Sequence, residues 1–392
     1  MKRLTIAMFG AMLIASSYAQ KATLTVTNPS DHQRQEVVGI DLDGVYKKLG
    51  TTSNTPLIVK NALGQEQAYQ KSYDNQLLMY VSVQPHSTAE FTVTKGKPAP
   101  FKAYVFGRLF PERIDDLAWE NDKSAYRIYG PALQRTGEKS FGTDVWTKST
   151  SELVLEERYK MHLEGVAIRD SLRKAGKKQE SDSMYIATSF HHDHGKGLDV
   201  YSVGPSLGCG APALMKNGEL VYPYCFKDYK ILDNGPLRFT VELHYHPNSD
   251  GITEHRLIRL DRGSHYNKVT VWYDGIKQPT AWASGVVLNG DGQLELGPDY
   301  VLYADPTDNP QVHQSQIYVG TLFTNGVDET KKLEGNKNHG IGIVRQYKGR
   351  PYSYYFGSAW SNYDVRTMAE WKLLAEYYLN NIKNPLIINI SH

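Results

Sequence analysis

The apolar and polar positions along this chain alternate mostly with period two, the signature of strands that bury one face. ATLTVTN from Ala22 and EVVGIDL from Glu36 alternate. PLIVKNALGQEQAYQ from Pro56 reads as strand, glycine turn and strand, and LLMYVSVQP and AEFTVTK repeat the pattern around a turn at Pro85 to Ser87. No convincing helix interrupts this region, which alone resembles half of a β-sandwich. KAYVFGRLF and AYRIYG add strands, separated by a polar stretch around Trp119. Residues 134–181 change character. After a glycine-broken loop containing Trp146, ELVLEERYKMHL and GVAIRDSLRKAGKKQE read as a helical excursion at about residues 150–180 between two β regions. Met184 to Phe190 alternates again, as a strand leading into a histidine cluster. Asn217-Gly218 is a hairpin turn signal, and Asn234-Gly235-Pro236 turns the chain again. Short strands fill Ala281 to Trp360, RTMAEWKLLAEYYLNNI from Arg366 reads as one amphipathic helix, and LIINI as a terminal strand. The expected fold class is therefore mainly β, with a short helical insertion and a C-terminal helix.

One strand is more informative than the rest. In LRFTVELHYH, Leu237, Phe239, Val241, Leu243 and Tyr245 share a core face. Arg238, Thr240, Glu242, His244 and His246 share the other, spaced at about 7 Å, twice the strand rise. A row with two histidines and an arginine reads as a cleft floor. The next strands each carry a histidine and a charged partner: ITEHRLIRL holds Glu254, His255 and Arg256, and DRGSHYNKVTVWYDG holds His265, with Lys268 on the face opposite Asn267.

The densest chemistry lies in FHHDHGKGLDVYSVGPSLGCGAPAL, where His191, His192, Asp193 and His194 are followed by Gly195, Lys196 and Gly197. His192 and His194 at i, i+2 on an extended segment share a face. They suit two metal ligands, with His246 or His244 supplying more, or acid-base groups. A divalent cation, calcium or zinc, is the cofactor such a set would hold. Earlier, Asp116, Glu120 and Trp119 read as one wall of a sugar cleft, carboxylates for hydroxyls or proton transfer and an indole for stacking. The expected catalytic set is His192, His194, His244, Glu242 and Asp116. Trp119, Glu120, Arg127, Lys196, Tyr201, Arg238, His246 and Arg256 are expected to bind substrate, the cations neutralising its carboxylate. On this reading His192 or His194 lies within about 10 Å of His244 or His246, a span set by sheet spacing.

Composition narrows the partners. The chain has 27 Tyr against 11 Phe. That excess fits stacking on sugars as well as the ordinary strand preference of aromatics. A net charge of +2 without a basic block argues against nucleic acid. Lys2 and Arg3, the apolar run Leu4 to Ala15 and Ser17-Tyr18-Ala19 form a signal peptide cleaved after Ala19, so the mature chain, one large domain over residues 20–392, is expected in the periplasm or outside the cell. No later run approaches the about 18 apolar residues of a membrane helix. Cys209 and Cys225 suit a disulfide in an oxidising compartment or two buried thiols. No P-loop, GxGxxG, HExxH or GxSxG motif occurs in the context each needs.

DDLAWENDKSAYRIYGPAL, HHDHGKGLDVYSVGPSLGCGAPAL, LRFTVELHYH and FGSAW together resemble the domain-of-unknown-function 4861 family of exported bacterial proteins, over essentially the whole mature chain. The resemblance implies a galactose-mutarotase-like β-supersandwich. It also implies a setting among polysaccharide-utilisation genes, often beside enzymes for uronic-acid polysaccharides such as pectin. The function expected is degradation of uronic-acid-containing oligosaccharides by hydrolysis or β-elimination. The rivals are a sugar epimerase or mutarotase and a non-catalytic glycan-binding protein.

Overall fold

A computed structural model describes residues 20–307 and 315–392. The leader read in residues 1–19 lies outside them. The molecule is a β-supersandwich. An eight-stranded sheet, in the order Phe226–Asn234, Arg238–Tyr245, Thr253–Asp261, Tyr266–Asp274, Tyr352–Trp360, Ile317–Leu322, Tyr300–Asp305, Leu294–Leu296, packs face to face on a five-stranded one. The five-stranded sheet is centred on Cys209–Lys216, Thr280–Val287 and His339–Tyr347. Val241, Leu243, Val269, Val271, Trp282 and Val286 fill the space between them. The hairpin at Asn217-Gly218 has both residues at positive φ, 53° and 81°, as a type I′ turn requires.

Residues 21–95 form their own sandwich, with its own core around Leu24, Val59, Leu77 and Val93. Strand Lys21–Thr27 also pairs with Ile387–Ser391, so the first and last strands of the described residues are neighbours. Helix α1 (Leu42–Lys48) lies inside this region, where the sequence pattern suggested none. Its signal is local: the Asp41 side chain accepts from Gly44 N and caps the first turn.

A four-stranded sheet, Phe106–Phe110, Asp116–Glu120, Ala125–Ile128 and Thr143–Trp146, joins the two sandwiches. Helix α2 (Pro131–Gln134) sits in its connection. Helices α3 (Leu155–Lys174) and α4 (Lys178–Thr188) follow as a hairpin. Of the strand expected at Met184 to Phe190, Met184 to Thr188 instead end α4, and Ser189 and Phe190 lie beyond its cap. Seven residues of alternation are too few to tell a strand from one face of a helix. Packing decides for helix: Gly165 of α3 leaves room for Thr188, and a Cβ there would collide with that side chain.

Helix α5 (Met368–Lys383) is capped by Thr367, which accepts from Glu370 N. It lays Met368, Trp371, Ala375 and Leu379 on the outer face of the eight-stranded sheet, over Leu302, Ala304 and Tyr318. No helix among the described residues is long and apolar enough to cross a membrane. Cys209 and Cys225 are buried free thiols.

Candidate functional site

The four-stranded sheet buries both faces, so alternation assigns every residue in it a side. Leu117, Trp119, Tyr126, Ile128 and Val145 turn into the main core. Asp116, Ala118, Glu120, Ala125, Arg127, Asp144 and Trp146 turn the other way, toward Leu155 and Tyr159 of α3 and toward Phe190. Arg127 stands directly across from Asp144 in the ladder, and across from Ala118 on its other side. That places Asp116, two residues from Ala118, diagonally beside Arg127. The loop after α4 returns along the same edge, where Asp199 N donates to Phe190 O, and delivers a third carboxylate, Asp199.

The result is one buried guanidinium among three buried carboxylates. Arg127 Nη2 lies 2.5 Å from Asp144 Oδ2 and 2.9 Å from Asp199 Oδ2, and Nη1 lies 3.4 Å from Asp116 Oδ2. Tyr159 donates to Asp116 at 3.0 Å, and the Trp146 indole donates to Asp144 at 3.1 Å. Burial, reinforced by the neighbouring Asp199 charge, pushes the Asp144 carboxyl up to about 7. Burial likewise raises Asp116 and Asp199. One positive charge cannot hold three ionised carboxylates in a dry site, so the cluster retains a proton near neutrality.

His191 forms the rim. Its Nδ1 is 2.7 Å from Asp199 O, so that nitrogen carries the proton and Nε2 is left unprotonated in the neutral ring. The ring is 43% exposed, and burial of the rest lowers its basicity. His162 on α3 stacks on Phe190 at 3.8 Å, and burial, with His191 and Arg113 adding, takes it down to about 4. Asp116 Oδ1, Arg127 Nε, Arg113 Nη1, Thr143 Oγ1 and His162 Nδ1 are buried with no hydrogen-bond partner within the described protein. The backbone beside them is strained: Ile114 and Asp115 both adopt left-handed φ, 54° and 61°. For a β-branched residue that conformation is an outlier, and such strain gathers at functional sites.

The expected site residues divide among several places. Asp116 and Arg127 belong to this centre. Glu120 is structural: it binds Lys148 at 2.6 Å and accepts from Val154 N and Leu155 N at the start of α3. Trp119 is fully buried on the opposite face and donates to Asn267 at 2.8 Å, so it cannot stack on a sugar at the surface. Period-two geometry separates it from Asp116 and Glu120, so the three do not share the one wall expected of them. Tyr201 is in the main core. Arg238 is held by Asp261 at 2.6 and 2.8 Å, and Arg256 pairs with Glu254 inside the sandwich.

The histidine loop is tied down by its own backbone. Asp193 Oδ1 accepts from Gly195 N and Gly197 N, and His194 Nε2 meets Ser189 O at 2.9 Å. His192 packs edge-on to Tyr185, and Lys196 pairs with Glu157 of α3. His244 instead meets His255, Nδ1 to Nδ1 at 2.8 Å, and its Nε2 lies 3.3 Å from Glu242; His246 is exposed beyond the strand end. The two histidine groups do not form one site. Leu198, Tyr201 and Val203 carry the loop into the core under the inner face of strand Arg238–Tyr245, whereas alternation turns His244 to the outer face. Among the described residues, no group of three or more His, Cys, Asp or Glu side chains is disposed to hold a metal, so His192, His194 and His246 do not make a calcium or zinc site.

Asp144, Asp199, Tyr159, His162 and Arg113 were not singled out from sequence. Two of them left a trace, in TDVW and LDVYSV, where an acid interrupts an otherwise apolar strand-like run. A buried acid needs a partner.

The chain is 25% identical over 335 residues to uncharacterized protein P7 of Formosa agariphila, covering 80% of this chain and 78% of that one. Its fold is similar to that of a glycosyl hydrolase family 38 protein from Enterococcus faecalis, with a TM-score of 0.51 at 9% identity. An alpha-mannosidase from Enterococcus faecalis V583 is similar too, with a TM-score of 0.50 at 10% identity. Each comparison covers 95% of this chain but 48% and 46% of the other, so the chain spans about half the length of these structures. The family model described as "Domain of unknown function (DUF4861)" matches residues 26–388, and the chain belongs to that family.

Proposed function

We propose that this protein is an exported carbohydrate-active enzyme that degrades uronic-acid-containing oligosaccharides by β-elimination or hydrolysis at the Arg127 centre. The observation that carries the reading is the Asp144 carboxyl, pushed up to about 7 beside Asp199 and Arg127. A carboxyl that keeps its proton at neutral pH is a general acid. The neutral His191 ring, with Nε2 unprotonated, is a base at the mouth of the same centre. Arg113, with a buried unpartnered nitrogen, is the cation available to a substrate carboxylate.

In elimination, His191 Nε2 takes the proton from C5 of the uronate. The C4–O bond breaks as the C4–C5 double bond forms. The departing oxygen takes a proton that water at the His191 mouth relays from the buried Asp144–Asp199 pair. In hydrolysis, His191 is the base that takes a proton from the attacking water, and the departing oxygen is protonated along the same relay. Likeness of fold to proteins named as glycosyl hydrolases supports a carbohydrate substrate, and the N-terminal leader supports export to the periplasm or beyond.

The test is incubation with a panel of uronate oligosaccharides, with and without chelator. Ultraviolet absorbance of the conjugated product reports elimination, and a mass gain of one water per cut reports hydrolysis. Absence of product across the panel overturns the enzyme reading. Isomerised sugar at unchanged mass points to an epimerase.

A further inference from the structure

A second polar surface lies on the far side of the eight-stranded sheet. A groove of about 560 Å³ runs between the N-terminal sandwich, the outer face of that sheet and helix α5. Its volume is in the range of small-ligand sites, about 300–1,000 Å³. The three walls are tied together. His32 stacks on Tyr377 of α5 at 4.5 Å, and Arg34 donates to Asn384 O at 2.6 Å.

Its floor carries an unusual pairing. Arg259 and Lys268 stand directly opposite each other in adjacent strands, and Tyr355 stands opposite Lys268 on the next. Like charges across a ladder repel. Three carboxylates line the groove: Asp261 is committed to Arg238 at 2.6 and 2.8 Å and reaches Arg259 only at 4.0 Å, Glu36 pairs with Arg34 at 2.6 Å, and Asp122 accepts from Gly263 N at 2.7 Å. Beyond its place in the ladder, the Lys268 ammonium makes no hydrogen bond or ion pair among the described residues. Burial, with Arg259 and Arg238 beside it, lowers its affinity for a proton. Arg262 adds a third cation at the rim, held over the ring of Tyr104 at 3.6 Å and that of Tyr80 at 4.2 Å. The groove therefore carries positive charge that the protein does not neutralise, next to tyrosine rings of the kind that pack on sugar faces.

We propose that this groove binds an anionic oligosaccharide, with a carboxylate or sulfate bridging Arg259 and Lys268 and a sugar ring against Tyr355. The ligand is a sugar chain and not a nucleic acid, because the whole chain carries a net charge of only +2 and the basic groups form a pocket and not a stripe. Such a groove would hold polymer away from the Arg127 centre. The inference does not rest on that centre being catalytic.

Titration calorimetry on the full mature protein bearing Asp144→Asn tests it, with three probes: a galacturonate hexamer, a sulfated carrageenan hexamer and cellohexaose. The expected result is binding of at least one anionic probe, weakened by added salt, with no heat from cellohexaose. Adding Arg259→Ala and Lys268→Ala should weaken it by about tenfold or more, as for losing two charge-assisted hydrogen bonds. Which anionic probe binds identifies the source of the charge. Failure of both anionic probes, equal binding of cellohexaose, or undiminished affinity in the groove variant overturns the proposal. Should the double substitution not fold, Lys268→Gln alone keeps the test, since that side chain has no partner to lose. Because heat and not turnover is read, inactivity on every glycan would sink the enzyme reading and leave this result standing.

Discussion

The Arg127 centre and the outer groove hold similar residue types and put them to opposite use. In the centre, three carboxylates surround one guanidinium, all nearly sealed from water. In the groove, Arg259, Lys268 and Arg262 stand among three carboxylates, Asp261, Glu36 and Asp122, that other groups already hold. Burial makes the acidic excess store a proton, because ionising the last carboxyl costs more than keeping it neutral. Partial exposure lets the basic excess stay charged, since water screens it until an anion arrives. A sealed acidic site is suited to moving a proton, and an open basic one to holding a charged ligand.

Several substitutions sharpen or break that contrast. The largest effect belongs to Asp144→Asn, which keeps the shape and removes the transferable proton. Turnover of any active uronate substrate should fall by about 10²–10⁴-fold, the usual share of a general acid. In the unsubstituted enzyme, activity should decline as pH rises through about 7. An unaltered rate would show that the stored proton is not used.

The same substitution should change stability in a way that depends on pH. The folded Asp144 carboxyl is raised above its ordinary value of 3.8. Its stabilising contribution is therefore complete below about pH 4 and is lost as pH rises through about 7. Thermal unfolding from pH 5 to 8 should slope downward in the parent and less steeply in Asp144→Asn.

Next comes Arg127→Met, which strands three carboxylates in the interior. A cost of about 3–5 kcal/mol is expected at pH 7, as for removing one partner of a buried ion pair. The loss should shrink toward pH 5, where the carboxylates take up protons, and chemical denaturation at both values would show it. Trp119→Phe should cost about 1–3 kcal/mol through the lost bond to Asn267. Its oligosaccharide affinity by calorimetry should not change, and a selective loss of binding would return Trp119 to a ligand-contacting role. His244→Ala should be smallest, within about 0.5 kcal/mol of stability, as for a surface change. Turnover should stay within about twofold, since its neighbours His255 and Glu242 lie outside the centre.

Much of the architecture was legible from periodicity. The strand Leu237 to Tyr245 shows its core face as a run of fully alternating apolar residues, and that face is buried as expected. The C-terminal helix was equally plain, because Met368, Trp371, Ala375 and Leu379 recur at helical spacing. Short segments with mixed patterns were not: α1 spans 7 residues, and α4 ends in a stretch that alternates like a strand. Of the site, Arg127 could be picked out as a charge in a strand and Asp116 as an acid in the polar stretch before it. Their partners Asp144 and Asp199 could not, because each sits alone in its own apolar run.

By itself, then, the sequence determined which faces must be buried. A side chain's side of a strand follows from backbone geometry, and the choice of apolar residues follows from their transfer out of water. It also held the titratable groups from which any site had to be built. Which of those groups meet was decided by the tertiary structure alone. Strand pairing put Asp144 across from Arg127, the return of the loop at Phe190 brought in Asp199, and the thickness of a sheet kept His194 from His244. Those meetings join residues up to 83 positions apart around one guanidinium (Asp116 to Asp199). No local pattern encodes such a distance, because the free energy that sets it comes from packing the whole core.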